Sequence, residues 1–361
     1  MAEEGASQRL VSLDALRGFD MFWIVGAGGI VHALRAVGDN RVVRSLSAQL
    51  THKDWAGFSS YDLIFPLFIF IVGTSIVLSL PKALERDGRS VVIKRILRRT
   101  LALFLAGVFY NGGFAPQEGV RIMGVLQRIA LCYASASLLF IAFELKGLVV
   151  LWGALLAGYW AVMTFVGAGD FTEAGNLAAA IDARLLPGSK YYGTYDPEGI
   201  LSTLPAIASC LMGVFAGMLL KRADLPGYRK VRLLLGWGAL SVLLGFVWGL
   251  QFPVIKKIWT SSYVLVAGGY SCILMALFYQ VIDLWRFERW AEPFVWLGVN
   301  PITIYLAYSI VDFPAVARRL VGGPVAAAFG CCGELLVQTT ALFLAFLLVR
   351  FLYNRKIFLR I

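Results

Sequence analysis

The sequence predicts an all-α polytopic membrane protein with about ten transmembrane helices and both termini cytoplasmic. Three observations lead there. Hydrophobic residues make up 59% of the 361 and charged residues only 15%, whereas soluble domains run near about half and about a quarter. Mean hydropathy is +0.74. Apolar runs long enough to cross a bilayer recur from end to end, which separates a polytopic chain from one with a single anchor.

In order, the expected spans are Leu13–Leu34, Asp62–Leu80, Thr100–Gly112, Met123–Phe143, Val149–Val166, Ile200–Leu220, Leu233–Leu250, Ser262–Ile282, Pro293–Val311 and Val325–Leu352. The third is short. Met1 to Gln8 are polar and acidic, so the first apolar run is expected to be a span rather than a cleaved leader. The linkers are short and no tandem repeat is visible. A single transmembrane domain over residues 1–361 is the expected organisation.

The net charge is +11. With the N-terminus cytoplasmic, about 21 of the 33 Lys and Arg fall on the cytoplasmic side, as the positive-inside rule requires. That accounts for the basicity and argues against nucleic acid as a partner. The densest basic run, Lys94-Arg95-Ile96-Leu97-Arg98-Arg99, falls inside. Five cysteines are present. Cys132, Cys210 and Cys272 fall in spans, Cys331 and Cys332 near a helix start, and none has C-x-x-C spacing. They read as small packing residues, and no metal site is expected.

This topology puts two longer loops outside. One, Arg35–Ser60, holds His52, one of only two histidines, with Asp54 and Trp55 beside it. The other, Asp170–Gly199, holds Glu173, Asp182, Tyr191, Tyr192, Tyr195, Asp196 and Glu198. A third, Asn111–Ile122, is Gly-rich and ends near Arg121.

Polar residues at membrane depth usually face a cavity or a partner. Asp14, Arg17, Asp20, Asp62, Gln127, Arg128, Gln251, Asn300, Asp312 and Gln338 lie in or close to spans. Asp14 and Arg17 have the spacing of a helical ion pair. Gln127 and Arg128 are expected to line a cavity. Pro66, Pro205 and Asn300-Pro301 are expected to break their helices, as happens where backbone lines a cavity. Gly26, Gly28 and Gly29 thin the first span for close packing or for a ligand.

Several stretches together resemble one family. Arg9-Leu10-Val11-Ser12-Leu13-Asp14-Ala15-Leu16-Arg17-Gly18 is similar to the opening signature of the heparan-alpha-glucosaminide N-acetyltransferase family. So is His52-x-x-Trp55-x-Gly57, followed by Asp62-Leu63-x-Phe65-Pro66 and Gly73-x-Ser75. Arg121-Ile122-x-Gly124-Val125-Leu126-Gln127-Arg128, Tyr195-Asp196-Pro197-Glu198-Gly199-Ile200-Leu201 and Leu297-Gly298-x-Asn300-x-Ile302 fit the same pattern. The resemblance runs from Arg9 to about Tyr305. It implies an enzyme that takes acetyl-CoA from the cytoplasm and acetylates a sugar amine on the other side. It places the catalytic histidine on His52 and the motif's aspartate on Asp62. The animal enzymes also carry an Asn on the first span, at a position that is Gly28 here, and a large domain ahead of that span. On the resemblance alone, the acceptor is expected to be a glucosamine-type sugar.

Acyl transfer from a thioester to an amine needs a base, donors for the developing oxyanion and two substrates held in contact. A histidine suits the first need. His52 then acts as general base or as a transiently acetylated nucleophile, with Asp62 fixing its tautomer and Asp54 as the nearby rival. Taken without the resemblance, His52 reads equally as a solvated loop histidine. For acetyl-CoA, Arg17, Arg98 and Arg99 are candidates for the phosphates, although topology alone also explains the basic run. Gln127, Arg128 and Asn300 are candidates along the pantetheine arm, and Arg121 near the acetyl group. For the acceptor, Trp55, Asp54, Tyr195, Asp196 and Glu198 combine aromatic faces with carboxylates suited to an amino sugar; Tyr and Trp at a headgroup belt look the same in sequence. The alternative function is an inner-membrane sugar or amino-sugar transporter, which the polar span residues and prolines fit. A bacterial inner membrane is the expected location, lipid the surrounding partner, and a homodimer the oligomer that Gly-rich faces favour.

Overall fold

The structure is a computed structural model that describes residues 10–38, 40–113 and 119–358. Arg9, which opens the family-like signature, and Arg360 of the basic tail lie outside the described residues. Among those described the chain is helical, without strands; two isolated antiparallel bridges join Ala56 to Ile255 and Arg121 to Gly188.

Among the described residues seven helices are long and apolar enough to cross a membrane: Ser60–Asp87, Val125–Ala142, Leu145–Val166, Thr203–Lys221, Gly227–Trp248, Ser261–Leu284 and Gly330–Asn354. Two bent pairs raise the number to nine: Val11–Gly26 with Gly28–Val37, bent by 58°, and Arg289–Val299 with Pro301–Ile310, bent by 67°. The expected count of about ten is not reached among the described residues. The difference is the third expected span, Thr100–Gly112. It is the apolar end of a longer helix, Arg89–Tyr110, whose first three turns carry Arg89, Lys94, Arg95, Arg98 and Arg99. Too few apolar residues remain to cross hydrocarbon.

The prolines also differ from expectation. Pro66 and Pro205 sit at the third positions of helices that begin at Ile64 and Thr203, where a missing N–H costs no helical hydrogen bond. They start helices rather than break them. The Asn300-Pro301 break is present. Asn300 has non-helical backbone, and Pro301 opens the next helix at its first turn, as its fixed φ favours.

The chain divides into two compact units. The first comprises the segments up to Ser47, Pro226–Leu234, and from Ile273 onward. Here α1 (Val11–Val37) crosses the short helix Glu292–Val299 with almost no gap. A Cβ on Gly18 would fall 1.6 Å from the Phe294 carbonyl oxygen, and one on Gly298 would fall 1.8 Å from that of Asp14. Arg17 donates to Asp14 and to the Gly298 carbonyl, both at 3.1 Å. Gly26 and Gly29 lie against Leu342 and Gln338 of the helix Gly333–Asn354, and Gly28 is exposed. Asp20 and Asn300 are buried, and their side-chain polar atoms have no partner among the described residues.

The second unit comprises Ala48–Leu225 and Leu235–Cys272. Its centre is the crossing of two helices, labelled here α2 (Ile64–Asp87) and α3 (Thr203–Lys221). Gly213 and Gly217 form a small-xxx-small face, the pattern that lets membrane helices approach closely. A Cβ on Gly213 would meet the Phe70 carbonyl at 1.9 Å, and one on Gly73 would meet the Cys210 carbonyl at 1.9 Å. The Thr74 hydroxyl donates across the crossing to the Gly213 carbonyl at 3.0 Å. Large apolar side chains such as Phe165, Trp237 and Leu243 point outward and are exposed, as a lipid-facing surface requires. The expected outer loop Asp170–Gly199 is not all loop. It contains the helix Leu177–Leu185, whose first turn is capped by Asn176 accepting from the Ala179 N–H at 2.8 Å.

Candidate active site

The site is built from the start of the first span of the second unit. A single 3₁₀ turn, Ser60–Leu63, precedes α2 and is closed by a capping box between Ser59 and Asp62. This turn takes Asp62 out of solvent completely and fixes its two oxygens in different roles. Oδ2 accepts from the Ser59 N–H at 3.0 Å and the Lys53 N–H at 3.4 Å, with the Ser59 hydroxyl 2.9 Å away. Oδ1 is left for a side-chain partner, and the His52 Nδ1 lies 2.9 Å from it. The Asp62 carbonyl in turn accepts from the buried Tyr263 hydroxyl at 2.7 Å. A carboxylate already bound by backbone N–H groups stays ionised, so Nδ1 carries the proton and Nε2 the lone pair. The His52 side chain is 49% exposed, which makes that lone pair accessible. Its ring lies on Tyr61, with centroids 4.5 Å apart. Asp54, the sequence-level rival, is exposed.

A third group stands at this pair, and sequence reasoning missed it. The Lys256 Nζ lies 2.9 Å from Nδ1 and 3.2 Å from Nε2 of His52, and 3.6 Å from Asp62 Oδ1. A position this close to both ring nitrogens is beside the ring and not on the Nε2 lone pair, which points away from Nδ1 and stays open. The Ala56–Ile255 bridge and the Gly57 N–H bond to the Val254 carbonyl at 2.8 Å hold the two loops together. Gly57 makes the turn at φ +117°, a conformation that L side chains rarely adopt. Burial lowers the pKa of His52, and the neighbouring ammonium lowers it further, against the opposing pull of Asp62. Burial also brings Lys256 down to about 8, against the opposing pull of Asp62 and Glu198. The first shift favours a neutral imidazole at neutral pH, while Lys256, at about 8, is still mostly charged there. The signal for Lys256 was faint: two adjacent lysines between spans look like ordinary loop charge.

The other expected residues fall into two groups in this unit. Arg121 donates to both oxygens of Asp196, at 2.7 and 2.8 Å, and to Glu198 at 2.8 Å. Burial raises Glu198 to about 7; it also pushes Asp196 up, but the Arg121 guanidinium outweighs it and holds that carboxyl low. These two acids therefore already have a cation. Trp55 donates to the Phe171 carbonyl at 2.7 Å, and its ring meets the Tyr195 ring edge-on. Tyr195 is buried and donates to Glu173 at 2.6 Å; the Lys257 ammonium lies 3.1 Å from the same carboxylate and over the Tyr192 ring.

Arg128 is fully buried. One guanidinium nitrogen donates to the Gly199 carbonyl at 3.2 Å and the Ser202 hydroxyl at 2.5 Å, and the group faces the Trp259 ring. Its Nε and other terminal nitrogen, and both amide atoms of Gln127, have no partner among the described residues. Buried polar atoms in that state are normally met by water or a ligand. Arg98 and Arg99 are exposed, with Arg99 over the Tyr133 ring. No group of three or more His, Cys, Asp or Glu among the described residues is placed to hold a metal ion.

A buried carboxylate, a tautomer-fixed imidazole and an adjacent ammonium suit proton abstraction beside a polarised carbonyl. Human heparan-alpha-glucosaminide N-acetyltransferase is 28% identical, with 72% of this chain and 49% of the human protein covered. The mouse protein of the same name is 27% identical with the same coverage. The chain thus spans about half the length of the curated relatives it matches. The catalytic-region model of that family matches residues 9–244, most of the chain and all of the His52–Asp62 stretch, so the chain belongs to the heparan-alpha-glucosaminide N-acetyltransferase catalytic family.

Proposed function

We propose that this protein is a transmembrane N-acetyltransferase that moves an acetyl group from cytoplasmic acetyl-CoA to a glucosamine-type sugar on the other side of the membrane, with His52 as the reacting base. The observation that carries this reading is the 2.9 Å contact of His52 Nδ1 with the buried Asp62 carboxylate, which leaves Nε2 as an exposed lone pair. Family membership supports the acyl chemistry and the relatives' printed name the class of acceptor.

In the reaction, Nε2 takes a proton from the acceptor amine as its nitrogen attacks the thioester carbonyl, and the C–S bond breaks with release of CoA. Alternatively Nε2 itself accepts the acetyl group first; an acetyl-imidazole trapped with acetyl-CoA alone separates the two routes. Exposed Arg98 and Arg99 serve the CoA phosphates. The unpartnered polar atoms of Gln127 and Arg128 are suited to the amide groups of the pantetheine arm. Trp55 and exposed Asp54 serve the acceptor. Tyr195, Asp196 and Glu198 support it indirectly, since Glu173 and Arg121 engage them. Arg121 then acts as the brace of that loop rather than as a free cation for the acetyl group. A bacterial inner membrane is the proposed location.

The test is transfer of labelled acetyl from acetyl-CoA to glucosamine by detergent-purified protein. His52→Ala should abolish turnover while leaving the thermal midpoint close to that of the parent. Turnover at the parent rate would refute the reading.

A further inference from the structure

The geometry points to Lys256 as a catalytic residue of the same site: its ammonium donates a hydrogen bond to the acyl oxygen of the thioester as that oxygen becomes an oxyanion. This rests on the reading of His52 as the reacting base.

Three features carry it. First, position. The Nζ lies beside the ring, 2.9 Å from Nδ1 and 3.2 Å from Nε2, the atom that takes the amine proton. An amine bonded to Nε2 and attacking a carbonyl brings that carbonyl's oxygen into reach of any donor beside Nε2. Second, capacity. The ammonium has three protons. One contact goes to Asp62 Oδ1 at 3.6 Å, a distance typical of a loose ion pair, and one to the ring. These contacts do not use all three protons, so a donor remains for the carbonyl once the acceptor sits at Nε2. Third, fixation. The Lys256 backbone lies between the Ile255 bridge to Ala56 and the buried Ile258–Thr260 segment, where the Ile255 N–H donates to the Thr260 hydroxyl at 3.0 Å. Its side chain is only 21% exposed. A cation carried this far out of water and held on rigid backbone is more than solvated loop charge, and a preorganised donor is what stabilises an oxyanion.

The step balances without a further reactant. The N–C bond forms and the C–S bond breaks. The amine proton passes to Nε2 and then to the CoA sulfur. Lys256 keeps its proton and donates only hydrogen bonds.

Lys256 also acts on His52 as a charge. The titratable and charged groups around the ring are Asp62 and Tyr61 from the turn before α2, Lys53 on its own loop, and Lys256, with Glu198 acting on Lys256 from the loop before α3. Removing the cation leaves Asp62 as the dominant charge, so the His52 pKa rises.

The experiment measures acetyl transfer from acetyl-CoA to glucosamine across pH for the parent, K256M, K256Q, K256R and H52A, with thermal midpoints alongside. K256M is expected to lower kcat about a hundredfold, the size of losing one oxyanion donor, with little change in KM for acetyl-CoA. The acid limb of kcat/KM, which reports His52, should move to higher pH in K256M and K256Q and stay nearly in place in K256R. If H52A is inactive while K256M keeps the parent kcat and acid limb, Lys256 has no such role and the His52 reading stands. If kcat falls in K256M with an unmoved acid limb, the role is structural and the proposal is overturned. If H52A turns over normally, the base assignment fails, and the Lys256 proposal fails with it.

Discussion

Asp62→Asn tests the site most sharply, because the structure dictates how the new amide must sit. Two backbone N–H groups aim at Oδ2, from Ser59 at 3.0 Å and Lys53 at 3.4 Å. An asparagine has one acceptor oxygen. Turning it toward His52 would point the NH₂ group at both backbone donors and leave them unpaired, at about 1–3 kcal/mol each. The amide oxygen therefore faces the backbone and the NH₂ faces His52. Nδ1 must then accept, the ring proton moves to Nε2, and the lone pair that takes the amine proton is gone. In a Ser-His-Asp triad the same change of tautomer costs about 10⁴ in kcat, or about 5.5 kcal/mol of barrier. The expectation here is a fall in kcat of roughly 10³ to 10⁴ with the protein still folded. Acetyl transfer measures the loss, and ¹⁵N-histidine NMR measures its cause. The chain has two histidines, His32 and His52, so His32→Gln leaves one ring in the spectrum. Parent-level turnover in Asp62→Asn, or a proton still on Nδ1, would refute the reasoning.

Two further substitutions test the scaffold. Arg121→Ala strips the buried Asp196 and Glu198 of their shared cation and should cost about 3 kcal/mol, seen as a lower thermal midpoint in detergent. Asp196→Ala added to it should recover part of the loss, and strict additivity would argue against the ion pair. Gly213→Ala places a methyl 1.9 Å from the Phe70 carbonyl and should destabilise the α2–α3 crossing by about 1–3 kcal/mol or more. Size-exclusion yield and melting check this, with Gly236→Ala, where nothing lies within 4 Å, as the unaffected control.

Much of this was legible in the chain. Long apolar runs announce helices whatever their packing, because lipid leaves the backbone no other way to satisfy its hydrogen bonds. The short distance from His52 to Asp62 made their pairing visible, and Asp14 with Arg17 likewise. What escaped depends on contacts distant in sequence or on register within a helix. Pro66 and Pro205 look like breakers until the helix start is located two residues earlier. Asp196 and Glu198 look like open carboxylates until Arg121 is brought to them from 75 and 77 residues away. Lys256 looks like loop charge until a backbone bridge sets it beside the histidine.

That bridge also orders events in time. His52 and Asp62 are ten residues apart, whereas Lys256 joins His52 across 204. For a flexible chain the longer closure costs about 2.7 kcal/mol more entropy, and contacts of such separation form late. During synthesis the histidine and its carboxylate emerge, and are able to pair, long before the ammonium exists. A nascent chain stopped within the matched region, which ends at residue 244, would carry His52 without Lys256. If His52 and Lys256 act as proposed, the site becomes competent only after the chain has been made through Lys256 and the two loops have docked.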